Sequence, residues 1–322
     1  MGHPHALCKP ARIAFAHRKP DEAVTIVPVI NDIMACLTLV ASVLFAKTSW
    51  LTCGFALATA TFALQGYRRL RGTTLTAPCL WVAASATCLA AGAILEHRLE
   101  GISLSATRFA VATTTLCPLM AVLGAKRPQD RGWQWVVLTL WIILVWPAAQ
   151  AVALPAGVRV DLFVAWKIFL WGLIAIGLLN YLPTIHWRAT ILVSLGQILL
   201  LRDHLGLSAA ESTAVSDLVA TLSFLSAAAL VHNSGTPKVA LNSDLSPITS
   251  KWLDFRNHYG AFWALRTLGQ LNHTAELRDW PVQLDWSGFL TIDDHHPTDE
   301  QLAEINQSID SMLRRFVELA PS

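Results

Sequence analysis

The chain has 322 residues, 54% hydrophobic and only 14% charged, with a formal net charge of +2 and a mean hydropathy of +0.46. Ordinary water-soluble globular domains carry far more charge, so a wholly aqueous fold is excluded by composition. The apolar excess is uneven: long apolar stretches recur up to about residue 233, and the remainder reads as a soluble helical domain. The fold class expected is an all-α membrane protein, a polytopic bundle of about eight transmembrane helices with a small, mainly helical C-terminal cytoplasmic domain.

Residues 1–24 form a basic arm with Lys9, Arg12, Arg18 and Lys19. The arm lacks the short apolar core and small-residue site of a cleavable signal. Met-Gly-His-Pro-His-Ala lacks the Ser or Thr of a myristoylation site. The first helix is therefore expected to act as an uncleaved signal anchor.

Crossing a hydrocarbon core of about 30 Å takes roughly 20 apolar residues. Eight stretches in 25–232 meet this: 25–46, 49–67, 75–95, 102–125, 133–153, 162–182, 187–205 and 212–232. The seventh is the weakest, apolar without interruption only from Ala189 to Leu201. It spans if Trp187, Arg188, Arg202 and His204 lie in the interfaces; a re-entrant segment is the alternative. The short connections make consecutive helices antiparallel neighbours. Eleven Lys and Arg fall in the arm and even-numbered loops against four in the odd-numbered ones. Both termini are thus expected to be cytoplasmic in a cytoplasmic (inner) membrane, with the lipid bilayer as the first partner. Trp50, Trp133, Trp135 and Trp187 fall where an aromatic belt is expected.

Ionisable residues at membrane depth demand an explanation, because a charge there costs about 2.5–3.5 kcal/mol on insertion scales. Arg108, Lys167 and Asp217 each lie a similar distance from the outer end of their spans. An Arg108–Asp217 ion pair with Lys167 nearby, lining an outer-leaflet pocket for a small solute or ion, is the sharpest expectation. Snorkelling of the two cations to the headgroups is the alternative. Asp32, beside Asn31, is a further candidate for this pocket as a proton or cation site; the plainer reading makes it the cap of a helix starting at Ile33. Thr107-Arg-Phe-Ala-Val-Ala-Thr113 resembles Ser216-Asp-Leu-Val-Ala-Thr221, which would suit a parallel internal repeat, though such Ala/Val/Thr patterns also arise by chance. Asn180 and Gln197 are expected to hydrogen-bond between helices.

His97 and His204 flank the outer side and His186 and His232 the inner side. These are axial-ligand candidates for a two-haem bundle, although interfacial histidine is ordinary. No cofactor is expected. Five of the six cysteines, Cys36, Cys53, Cys79, Cys88 and Cys117, sit in apolar spans without metal-ligand spacing, so no metal site is expected. Nor is there a P-loop, GxGxxG, HExxH or GxSxG pattern.

Residues 233–250 read as a linker and 251–322 as an acidic helical domain. From residue 233 on, seven Lys and Arg stand against twelve Asp and Glu. This argues against nucleic acid and against electrostatic attachment to anionic lipid. Docking to the basic cytoplasmic loops, or to a soluble partner, fits that charge. Trp252, Phe255, Tyr259 and Phe262 share one helical face, which Gly260 weakens without ending it. Val282–Trp286 and Phe289–Ile292 predict a hairpin. Asp293-Asp-His-His296 reads as a solvated turn rather than a metal tetrad. Thr298 with Gln301 forms a capping box for a helix over 299–319, with a seam of Leu302, Ile305, Ile309, Met312, Phe316 and Leu319. That seam packs on the tail's own core or, alternatively, joins a homo-oligomer or a cytoplasmic protein partner. The functional expectation is a non-enzymatic, transporter-like bundle. The alternatives are a membrane scaffold or assembly factor acting through its tail, and a haem- or quinone-linked oxidoreductase.

Overall fold

The structure, a computed structural model, describes residues 26–154, 160–207, 213–234, 245–292 and 296–316, with side chains from Thr48 onward. Contacts divide the chain into two units, Met1–Lys47 and Thr48–Ser322. In the first, residues 26–47 are helical; the basic arm lies outside the described residues. Helix α1 is Ile26–Arg69, so the backbone stays helical through residues 46–49, where the sequence predicts a loop. Lys47, Thr48 and Ser49 include neither Gly nor Pro, and nothing local breaks the helix there. The reading of Asp32 as the cap of a helix starting at Ile33 is corrected: Asp32 lies within α1. Pro28 is tolerated because the first-turn N–H groups have no intrahelical partner.

The second unit continues with α2 (Thr76–Leu95), α3 (Gly101–Thr114), α4 (Cys117–Leu123), α5 (Asp130–Ala153), α6 (Val164–Tyr181), α7 (Trp187–Leu205) and α8 (Thr213–Asn233). Among the described residues, five stretches are long and apolar enough to cross a membrane: Thr76–Leu95, Gly101–Leu123, Asp130–Ala153, Val164–Tyr181 and Ala214–Asn233. The outward faces are apolar as well; Phe163 is 82% and Trp135 72% exposed. Water would penalise such a surface, whereas lipid tails would not. Helix α7 is not one of the five, yet it packs against α3, α6 and α8. Its 19 residues extend about 28 Å at the helical rise.

The stretch predicted as one span over 102–125 is broken into α3 and α4. Thr113, Thr114 and Thr115 each turn their hydroxyl back onto the carbonyl three residues earlier, at 2.6–2.8 Å. Pro118 then has no N–H to give the Thr114 carbonyl. Neighbouring helices supply the missing donors. Ser85 Oγ of α2 reaches the Thr114 carbonyl at 2.6 Å, and Gln197 Nε2 of α7 donates to the Thr115 carbonyl at 2.9 Å. Irregular backbone at membrane depth persists only where such partners exist.

The tail comprises α9 (Ser246–Leu277), the antiparallel strands β1 (Val282–Asp285) and β2 (Gly288–Thr291), and α10 (Asp299–Leu313). Gly260 interrupts α9 with φ 77° and ψ −178°. There Asn180, from the end of α6, accepts a hydrogen bond from the Phe262 N–H at 2.9 Å. A side chain from another helix thus caps the second half of α9, satisfying one of its orphan donors. The capping box of Thr298 and Gln301 is present. Ile305, Ile309 and Phe316 of the seam are buried in one core with Trp252, Phe255, Tyr259 and Trp263, and Leu302 and Met312 pack against it. Leu319 lies outside the described residues, as does most of the linker, 235–244.

The tail docks on the connectors at one end of the bundle. Trp263 Nε1 donates to the Val122 carbonyl (3.0 Å) and Trp286 Nε1 to the Pro183 carbonyl (2.9 Å). The Thr74 N–H donates to the Phe316 carbonyl (2.9 Å) and the Arg127 N–H to that of Arg315 (2.9 Å). Tyr259 OH also donates to the Phe316 carbonyl at 2.9 Å. Burial pushes the Tyr259 phenol up to about 12, so it remains a donor at physiological pH.

Candidate functional site: a charged end and an apolar cavity

Two features of the bundle hold polar groups. At the end away from the tail, Arg108 of α3 lies 2.8 Å (Nε) from Glu96 Oε1 and 3.6 Å (Nη2) from Asp217 Oδ2. Glu96 is the C-terminal cap residue of α2. The α2–α3 connection is short, and helical side chains lean toward the N-terminus, so Arg108 reaches back to it. The sequence reading passed over Glu96; its place twelve residues before Arg108, across a helical hairpin, was the available signal. Beside this cluster the buried Arg202 of α7 hydrogen-bonds Ser216 of α8 and lies 3.5 Å from Asp203. The His204 ring meets the edge of Phe109 at 4.7 Å.

Lys167 does not join the cluster. It is half-buried on α6, its backbone N–H donates to the Phe163 carbonyl at 3.2 Å, and among the described residues its side chain forms no ion pair or hydrogen bond. Arg108, Lys167 and Asp217 also do not line the cavity of about 660 Å³ inside the bundle. Asp32 lies among the residues whose side chains are not described. Asp293 and Asp294 fall outside the described residues, and His296 is exposed.

That cavity, about 660 Å³, runs between α1, α2, the α3–α4 break, α7 and α8 toward α9. Its wall is mostly apolar, and Thr115, Pro118, Ser85 and Gln197 bring the broken helix and its partners to that wall. At the tail end the lining turns polar, with Arg69, His186, His232, Asp254 and His258. Arg69 and His258 are exposed, so this end reaches solvent. Arg69 lies 3.5 Å from both the His232 carbonyl and its Nε2. The His232 ring also contacts Phe62 at 5.3 Å. His258 accepts support from two sides: Tyr181 OH donates to its carbonyl (3.1 Å), and its Nδ1 lies 2.8 Å from the Asp254 carbonyl. Burial, and then the neighbouring His258, hold the His186 imidazole below its ordinary pKa. Its Nδ1 is buried without a hydrogen-bond partner.

The four histidines fall into two places. His186 and His232 line the cavity, while His97 is exposed and His204 buried at the opposite end. Among the described residues no group of three or more His, Cys, Asp or Glu is placed to hold a metal ion. Cys53, Cys79, Cys88 and Cys117 are free thiols. Cys79, on the cavity wall, approaches the Ala63 carbonyl at 2.9 Å.

The arrangement can hold a molecule with an apolar body and a polar end. Apolar cavities of this size with a few convergent polar groups are what small-molecule sites are made of. No family model, curated protein or solved structure matches the chain.

Proposed function

We propose that the chain is a transporter-like carrier of a small amphipathic solute in a cytoplasmic membrane, with the tail on the cytoplasmic side; the unbroken helix α1 makes one crossing of the stretch read as two spans, so the eight-span count is not carried over. The solute's body lies in the 660 Å³ cavity and its polar end at Arg69, His186 and His232. The Glu96–Arg108–Asp217 cluster closes the outer end, so this is an inward-facing arrangement. The observation that carries this reading is the α3–α4 break facing the cavity. Discontinuous helices beside a midplane cavity are the recurrent way that membrane carriers present polar backbone to a solute. The intramolecular burial of the α10 seam favours this over a scaffold acting through that seam.

The reading makes a sidedness test. In a Cys79→Ala background, Thr190→Cys on the cavity wall should react with a membrane-impermeant thiol reagent added from the tail side and not from the other. Adding Arg108→Ala should open the second route. Labelling from neither side, or no change with Arg108→Ala, contradicts the carrier reading.

A further inference from the structure

A second pocket, about 340 Å³, lies at the seam between the bundle and the tail. It is lined by Lys126 from the α4–α5 connection, Arg266 from α9 and Arg315 just past α10, together with Thr267, Thr274 and Ser311. Three cations meet here although the tail as a whole is acidic. Among the described residues none of the three forms an ion pair. His273, also on the lining, has its Nδ1 3.9 Å from Glu276 Oε2. Lys126 Nζ stands 5.9 Å from the centre of the Trp263 ring. Slight burial, and then Arg315 and Arg266, hold the Lys126 ammonium below its usual pKa.

Like charges that converge without an ion-pair partner repel one another, and the Lys126–Trp263 contact accounts for one of the three alone. Ammonium and guanidinium groups ringed by hydroxyls are the donor set that phosphate oxygens match. We propose that this pocket binds a phosphate-bearing anion, held by Lys126, Arg266 and Arg315. Because Lys126 belongs to the bundle and the arginines to the tail, the bound anion bridges the two and tightens their docking. The phosphate is either a lipid headgroup, since Lys126 follows the end of a membrane-type helix, or part of a soluble phosphorylated compound. This inference does not rest on the carrier reading, because the pocket shares no lining residue with the large cavity.

The test uses the full-length protein in uncharged detergent and in nanodiscs. Sodium pyrophosphate, titrated against sodium chloride of matched ionic strength, should raise the melting temperature saturably if the source is soluble. Phosphatidylcholine nanodiscs with added phosphatidic acid should raise it if the source is lipid. Either response supports the site and identifies the source. Arg266→Gln should shift the pyrophosphate or lipid midpoint at least about tenfold, as loss of one charge-assisted contact does. The Lys126→Gln/Arg266→Gln/Arg315→Gln variant should abolish the response, and at low salt without added anion it should melt no lower than the wild type. A lower melting temperature there would show the cations to be structural and overturn the proposal. So would the absence of both responses, or an unchanged response in Arg266→Gln.

Discussion

Gly260→Ala tests how the tail is fitted to the bundle. The backbone at this residue, φ 77° and ψ −178°, lies in a region that side-chain-bearing residues scarcely enter, at a cost of about 1–3 kcal/mol. The added Cβ would fall 2.4 Å from Asn180 Nδ2 and 2.7 Å from its Cγ. Asn180 must then swing away, which strands the Phe262 N–H and adds about 1–3 kcal/mol. The sum is roughly 2–6 kcal/mol, or a fall in melting temperature of roughly 3–9 °C for a fold of this size. Thermal unfolding in mild detergent, followed by tryptophan fluorescence, reads it directly, because Trp252 and Trp263 are buried in the affected core. Asn180→Ala removes both the clash and the cap. In that background Gly260→Ala should cost only the backbone part, leaving a coupling of about 1–3 kcal/mol. An equal cost in both backgrounds, or a cost under about 0.5 kcal/mol in the wild type, would refute the assignment of Asn180 as the cap of the second half of α9.

The remaining expectations address the bundle. Arg108→Ala leaves the Glu96 and Asp217 carboxylates facing each other; the loss should be about 1–3 kcal/mol in a melting assay, below the fully buried value because water reaches part of this cluster. Arg108→Lys should recover only a fraction, since an ammonium cannot place two N–H groups as the guanidinium fork does. Ser85→Ala should cost about 1 kcal/mol in the wild type but little in a Pro118→Ala background, where residue 118 can itself donate to the Thr114 carbonyl; equal costs would show that Ser85 does not serve the break. His186 has a folded pKa below its unfolded value, so it is neutral in both states above about pH 6.5. As pH falls below that, the unfolded chain takes up the proton first and stability drops, levelling off below the folded pKa. His186→Gln should flatten the melting temperature between pH 7.5 and 5; an unchanged slope would place the acid sensitivity elsewhere.

Local physics was readable along the chain. The apolar runs marked helices, five stretches of which are long and apolar enough to cross a membrane; Thr298 and Gln301 announced the cap of α10, and Val282–Ile292 the hairpin before it, because such features depend on neighbours a few residues away. Arg108 and Asp217 could be named as partners by equal depth and opposite sign. Other readings failed where distant groups decide. Lys167 shares the depth of Arg108 but faces another way, and depth says nothing of azimuth. Pro118 was in plain sight, yet whether a proline bends or breaks a span depends on what satisfies the freed carbonyls, here Ser85 and Gln197 from two other helices. Gly260 looked like a mild weakness because intrinsic propensity is a small term, whereas the neighbouring Asn180 turns the position into a kink.

Hydropathy and capping chemistry act over one or two turns, so the sequence alone determined that this is a helical, membrane-type chain ending in a capped, amphipathic helix. The cavity, the second anionic partner Glu96, and the three unpaired cations at the bundle–tail seam arose only in the tertiary structure. They depend on which helix faces meet. That choice is made by the summed packing of many side chains far apart in sequence, none of which carries a signal by itself.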